Sequence, residues 1–281
     1  MWCKLRRAAC AALLLLAPAQ TAFGASGQLK LLTYNVAGVP DGVMTAHPSA
    51  NMPRIGELFE PYDLVLVQED FAYPEALRSQ LRLPHRSGAP VKGRGVLDFG
   101  DGLSQFARRP FSEPQHQSWS RCFGILDSYF DCLVPKGLSF SRQELAPGIH
   151  VDVYNVHLDA GGGAGDRRAR EAQIEQLVRT LEQRSAGSAV IVAGDTNIGS
   201  SHATLLRSFM DRAGLTDACA ATRCAQPHRI DRVLFRSSAA LGLSAKAWKI
   251  DRRFVDTRGA ALSDHLAVSV TLDWVTLTPK R

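Results

Sequence analysis

Side chains able to do chemistry gather in this chain where hydrophobic runs begin or end. Asn35 closes "LKLLTYN", Gln68 and Glu69 follow "DLVLV", and Asn155, His157 and Asp159 close "VDVYNVHLD". Asp195 and Asn197 close "AVIVAGDTN", Asp231 opens "DRVLF", and Asp264 and His265 stand directly before "LAVSVTLDW". A single Asn or Asp beside a strand is an ordinary turn former. As a set they form a coherent kit. Glu69, Asp195, Asp264 and the amides of Asn35 and Asn197 offer hard oxygen donors, which suit Mg²⁺, with Mn²⁺ or another divalent cation as the alternative. His157 and His265 can exchange protons near neutral pH, and Asp231 can orient an imidazole. Such a kit hydrolyses phosphate esters: the anionic diester repels hydroxide, and a metal with a cationic imidazole offsets the charge that grows in the transition state. A structural zinc site is not supported, because there is no His-x-x-x-His or C-x-x-C spacing. "GAGDRR" lacks the G-K-[ST] of a nucleotide-binding P-loop.

Rigid elements must position these groups. β-Branched and apolar runs give strands at 29–34, 64–67, 190–193 and along "GIHVDVYNVHLDA", where Val151, Val153 and Val156 mark apolar positions. "GLSQFAR", "KGLSFSRQEL", "RIDRVLFR", "LSAKAWKID" and "LAVSVTLDW" also read as strands. Helices are expected over "RIGELFEPY", "PEALRSQL" and 203–213, with the longest over 166–184, capped by Asp166. Residues 84–102, rich in Gly, Pro and Arg, read as a surface loop. Strands outnumber helices, so an α/β protein with more than one sheet layer is expected rather than a simple doubly wound sheet.

Lys4, Arg6 and Arg7, the apolar run from Ala8 to Ala17 and the small residues after it read as a secretory signal peptide cut near Ala25. Residues 26–281 then form a single domain, since no linker or repeat divides them. Cleavage takes 33 basic residues to 30 against 27 acidic ones, so the formal charge falls from +6 to +3. That mild excess does not by itself indicate nucleic-acid binding. Four cysteines remain: Cys122, Cys132, Cys219 and Cys224. In an exported chain they suggest two disulfides, and sequence proximity favours Cys122–Cys132 and Cys219–Cys224 among three possible connectivities.

"TYNV", "VQED", "NVHLD", "GDTN", "IDRVL" and "LSDH", in that order, resemble the motifs of the endonuclease/exonuclease/phosphatase superfamily, which includes deoxyribonucleases and sphingomyelinases. The resemblance implies a four-layered α/β sandwich with two facing mixed sheets, and metal-dependent cleavage of a phosphodiester by water. Residue by residue, it implies Glu69 as the principal Mg²⁺ ligand with Asn35 beside it, and Asp195 with Asn197 positioning water and phosphate. Asp264 is implied as a second acid near the metal, His265 as general base or phosphate-polarising group, Asp231 as its orienting carboxylate, and His157 near the leaving group. Asn155 and Lys136, the latter in a lysine-glycine step like that of bacterial sphingomyelinases, are candidate substrate contacts.

The preferred substrate is a phospholipid head group. "WSRCFGILDSYFDC" offers either an apolar loop for peripheral membrane contact or a buried satellite cluster, with Trp119, Phe123, Ile125, Leu126, Tyr129 and Phe130 as its apolar members. The aromatic hairpin that bacterial sphingomyelinases carry before "LSDH" is replaced here by the short, charged "DRRFVDTRGAA". A secreted nuclease is the alternative, with Arg86, Lys92, Arg94, Arg108, Arg109, Arg167, Arg168 and Arg170 available to track a phosphate backbone. A non-catalytic binding protein on the same fold is the reading from another class. No obligate protein partner is expected.

Overall fold

A computed structural model describes residues 24–43, 47–88, 100–124 and 131–277. Residues 1–23 of the expected signal peptide (1–25), and Ile125, Leu126, Tyr129 and Phe130, lie outside these residues. Two six-stranded sheets face each other. The first contains β1 (Ser26–Asn35), β2 (Leu64–Gln68), β3 (His85–Arg86), β4 (Ser104–Ala107), β11 (Leu241–Ile250) and β12 (Val268–Thr276), in the order β11-β12-β1-β2-β4-β3. The second contains β5 (Gln115–Ser118), β6 (Gly137–Ala146), β7 (Ile149–His157), β8 (Val190–Asp195), β9 (Thr216–Asp217) and β10 (Asp231–Arg236), in the order β5-β6-β7-β8-β10-β9. Both are mixed: β1–β2 and β7–β8 pair in parallel and their neighbours antiparallel. Helices α1 (Pro48–Leu58) and α2 (Pro74–Ser79) cover the first sheet, and α3 (Ala164–Arg184) and α4 (Ala203–Ala213) the second. This is the expected four-layered sandwich.

Strand alternation divides the core. Leu29 and Leu31 of β1, Leu64 and Leu66 of β2, Val151 and Val153 of β7, Ile191 and Ala193 of β8, and Val233 and Phe235 of β10 fill the space between the sheets. The intervening Leu32, Tyr34, Val65 and Val67 pack outward on α1 and α2. Tyr154, Val156, Val190 and Val192 pack outward on α3 and α4. Successive side chains on a strand point to opposite faces, so the inward parity continues to each strand's polar end. Asn35, Gln68, Asn155, His157, Asp195 and Asp231 therefore share the inner face with the apolar core.

Some details differ from expectation. The long helix starts at Ala164 with Gly163 as its N-cap. Asp166 is its third residue and accepts the Gly163 N–H at 2.7 Å, so the carboxylate caps from inside the first turn. Within the expected loop at 84–102, His85 and Arg86 pair with β4, and 89–99 lie outside the described residues. Strand β5, "QHQS", carries no hydrophobic alternation because it lies at a sheet edge with little burial. Both expected disulfides are present, Cys122–Cys132 and Cys219–Cys224.

Candidate active site

Register builds the second sheet's half of the site. Asp195 is the Cα partner of His157 on β7 and of Asp231 on β10, so the three side chains stand in one row across neighbouring strands. In the first sheet Asn35 is aligned with Gln68. Glu69 comes one residue later, where alternation would turn it away from Asn35. Its left-handed backbone, φ 58°, breaks that alternation, and its Oε1 accepts from Asn35 Nδ2 at 2.8 Å. Left-handed backbone is costly for residues other than glycine and concentrates at functional sites. Asn197, φ 49°, is a second case beside Asp195.

The two halves meet at Asn35. Its Nδ2 also donates to Asp195 Oδ2 at 3.2 Å and lies 3.5 Å from His265 Nε2. His157 Nε2 is 3.5 Å from Asp195 Oδ2 and 3.8 Å from Glu69 Oε1, and His265 Nε2 is 3.7 Å from the same Asp195 oxygen. His265 Nδ1 pairs with Asp231 Oδ1 at 2.8 Å, and Asp231 Oδ2 accepts from Arg229 at 2.8 Å. Asp195 Oδ1 accepts the Asn197 N–H at 3.0 Å, while Asn197 Nδ2 donates to Leu158 O at 2.9 Å. Glu69, Asp195, His157, His265 and Asn35 thus surround one small volume.

Burial and charge set the protonation states. Burial pushes the Asp195 carboxyl up, Asp231 adds to this, and the result is about 6 despite the opposing pull of His265. Burial lowers His157 well below the usual imidazole range, with Lys136 and His265 adding to the effect. For His265, burial disfavours the cation, but the hydrogen bond and charge of Asp231, then Asp195 and Asp264, outweigh it and raise the ring to about 10. One imidazole is therefore neutral and its neighbour cationic at pH 7.

The donor set fits a divalent cation. Glu69 and Asp195 bring two carboxylate oxygens to the same amide nitrogen, and Asp231 stands directly across from Asp195. Carboxylates so close repel one another unless positive charge lies between them. Asp195 and Asp231 also have ligand atoms that lie, with one of His265, within 4.8 Å of one another; the cationic ring offers no lone pair, so the carboxylates are the metal-holding members of that group.

Other expected site residues are less central. The Asn35 amide oxygen accepts the Ala37 N–H at 3.0 Å, so the nitrogen and not the oxygen faces the carboxylates. Asp264 is exposed and accepts from Ser263 Oγ at 3.3 Å. Lys136 pairs with Asp131 at 2.5 Å, and its charge acts on both His157 and Asp195. Asn155 is not brought into the group. It is 1% exposed, with its oxygen on Gln68 Nε2 and its nitrogen on Val67 O and Ser104 O, so it joins the two sheets. Trp119 donates to His157 O at 2.7 Å and packs on the second outer core, whereas Phe123 is exposed.

Sequence reasoning missed Ser263, whose hydroxyl donates to Asn35 O at 2.8 Å and accepts the His265 N–H at 3.1 Å. That hydroxyl ties the final loop to the end of β1. Its only signal was its place in "LSDH". Arg229, which holds Asp231, and Asp131, which holds Lys136, had no signal beyond nearness in sequence.

The profile of the Endonuclease/Exonuclease/phosphatase family matches residues 32–265, from within β1 through His265. The chain belongs to the endonuclease/exonuclease/phosphatase family. Within that family it is 31% identical over 277 residues to a sphingomyelinase of Mycobacterium tuberculosis; the match covers 89% of this chain. The chain spans about half of that relative's length, 54%. Its fold is similar to that of sphingomyelinase C from Streptomyces griseocarneus, with a TM-score of 0.63, 19% identity and coverage of 90% of this chain and 100% of the other. It is likewise similar to Staphylococcus aureus beta toxin carrying two substitutions, a structure with bound magnesium ions. There the TM-score is 0.64, at 14% identity, and coverage is 87% of this chain and 99% of the other. At these identities the solved structures speak for the family sandwich alone.

Proposed function

We propose that the protein is an exported, divalent-metal-dependent phosphodiesterase that cleaves a phospholipid head group by water attack. The observation that carries this reading is the convergence of Glu69, Asp195, His157 and His265 around the Asn35 amide. A divalent cation held by Glu69, with Asp195 beside it, would supply Lewis acidity toward the phosphoryl oxygens. The protein's own groups do the rest. Asp195, titrating at about 6, is ionised at neutral pH yet basic enough to take a proton from an attacking water. The Asn197 N–H fixes one of its oxygens, so the other is aimed into the cleft. His265, kept cationic by Asp231, offsets charge on the phosphate, and His157 stands ready as a neutral hydrogen-bonding group beside it.

Three observations support a lipid substrate and export. The sphingomyelinase relative is the first. The second is that several arginines available for a nucleic-acid track are already engaged. Arg86 donates to the carbonyls of Leu81 and Leu83, Arg108 pairs with Glu60 and Asp63, Arg167 pairs with Glu171, and Arg170 is buried. The third is the pair of disulfides, which suits an oxidising compartment. Lys92 and Arg94 lie outside the described residues.

Purified protein assayed side by side on sphingomyelin liposomes, phosphatidylcholine liposomes and plasmid DNA should cleave lipid with Mg²⁺ and lose activity in EDTA. Mg²⁺ should also raise the melting temperature, because it relieves repulsion among buried carboxylates. Full activity in chelator removes the metal role, and cleavage of DNA alone removes the lipid substrate.

A further inference from the structure

Beside His265 opens a cavity of about 230 Å³ that no step above uses. Ile250, Phe254, Val255, Leu266 and Ala267 make most of its lining apolar, and Gln226, Asp251, Arg252 and His265 are its polar members. It is smaller than the roughly 300–1,000 Å³ of a site for a whole drug-sized ligand, so it suits one short arm of a larger molecule. Its walls are built in advance. Phe254 is buried, meets Tyr34 edge-on with ring centroids 4.8 Å apart, and lies 6.2 Å from Phe59. Val255 and Ala261 form a β-bridge, and Asp256 accepts the N–H groups of Arg258 and Ala260, each at 2.8 Å, so the loop at 252–262 is closed on itself.

Charge at the rim narrows the ligand class. The Asp251 carboxylate in the lining is already paired with Arg253. Arg252, which also lines the cavity, is exposed and has no ion-pair partner among the described residues. A largely apolar recess, an exposed guanidinium at its edge and the His265 ring in its wall together match an anionic group carrying a hydrocarbon arm.

We propose that this cavity receives the first carbons of the hydrocarbon arm of a phosphodiester whose phosphate lies at His265. The inference rests on the phosphodiesterase reading and specifies that the arm is recognised together with the phosphate. A series of alkyl p-nitrophenyl phosphates, from methyl to pentyl, tests it. In each, water adds to phosphorus, the bond to the aryl oxygen breaks, and p-nitrophenolate leaves with an alkyl phosphate as the other product.

In the unaltered protein, kcat/KM should rise about two- to fourfold for each methylene that enters the cavity. Val255→Asp, which charges the recess, and Val255→Trp, which fills it, should both flatten the series. The readout is the pentyl-to-methyl ratio within each protein, so a general loss of activity cancels, and either variant suffices if the other fails to fold. Turnover with a flat series in the unaltered protein overturns the subsite alone. A rise that persists in a folded Val255 variant does the same. No turnover of the methyl diester overturns the phosphodiesterase reading, and the subsite with it.

Discussion

His265 and Asp231 form a direct pair at 2.8 Å, and their proton should make the stability of the resting molecule pH-dependent. Burial opposes a charged ring, yet the bond to Asp231 outweighs it and the ring titrates near 10. Folding therefore favours the protonated ring above its usual value of about 6.5. The resulting stabilisation is complete below about 6.5 and is lost as pH rises toward 10. Thermal melts in chelator from pH 6 to 10 should show a progressive fall in melting temperature, and Asp231→Asn should largely abolish that slope. An unchanged slope would show that Asp231 does not control this proton. The contact of Asp231 with His265 was legible because a carboxylate is a natural orienting partner for an imidazole. Ser263 was not, since a serine declares nothing until its hydroxyl is found between Asn35 O and the His265 N–H.

At the level of elements, the inner faces of β1, β2, β7, β8 and β10 change from apolar to polar within one or two inward positions. Gly194 allows β7 and β8 to bring His157 and Asp195 side by side. It adopts φ 143°, and a Cβ there would lie 2.0 Å from Val156 O. Gly194→Ala should cost about 3 kcal/mol through overpacking and backbone strain, read from the urea midpoint, with activity falling alongside. A neutral substitution would mean that the pairing of β7 with β8 tolerates displacement. The strands carrying the site were readable from their β-branched runs. Strand β5 and the two-residue strand β9 were not, because edge pairing needs no hydrophobic signature and a partner supplies the order.

Across the whole molecule, the two sheets are joined by polar contacts as well as by their shared core. Gln68 Nε2 donates to Asn155 Oδ1 at 2.7 Å, and Asn35 Nδ2 to Asp195 Oδ2 at 3.2 Å. Removing one partner of a buried pair leaves the other unsatisfied, at a cost of about 1–3 kcal/mol. Gln68→Leu and Asn155→Leu should each destabilise, and the double variant by less than their sum, with a coupling of about 0.5–3 kcal/mol in a denaturation cycle. Strict additivity would place the two amides in independent environments. Asn155 also marks where the sequence was silent. Nothing local distinguishes an amide that binds substrate from one that fastens two sheets, because both end a strand on its inner face. Residue type and strand period, which are local properties, determined the donor chemistry and an α/β chain with more than one sheet layer, and the resemblance of the ordered motifs implied the family and its four-layered sandwich. Which donors meet was decided only in three dimensions: register across β7, β8 and β10, the left-handed turn at Glu69 and the stacking of the sheets bring together groups as far apart in the chain as Asn35 and His265.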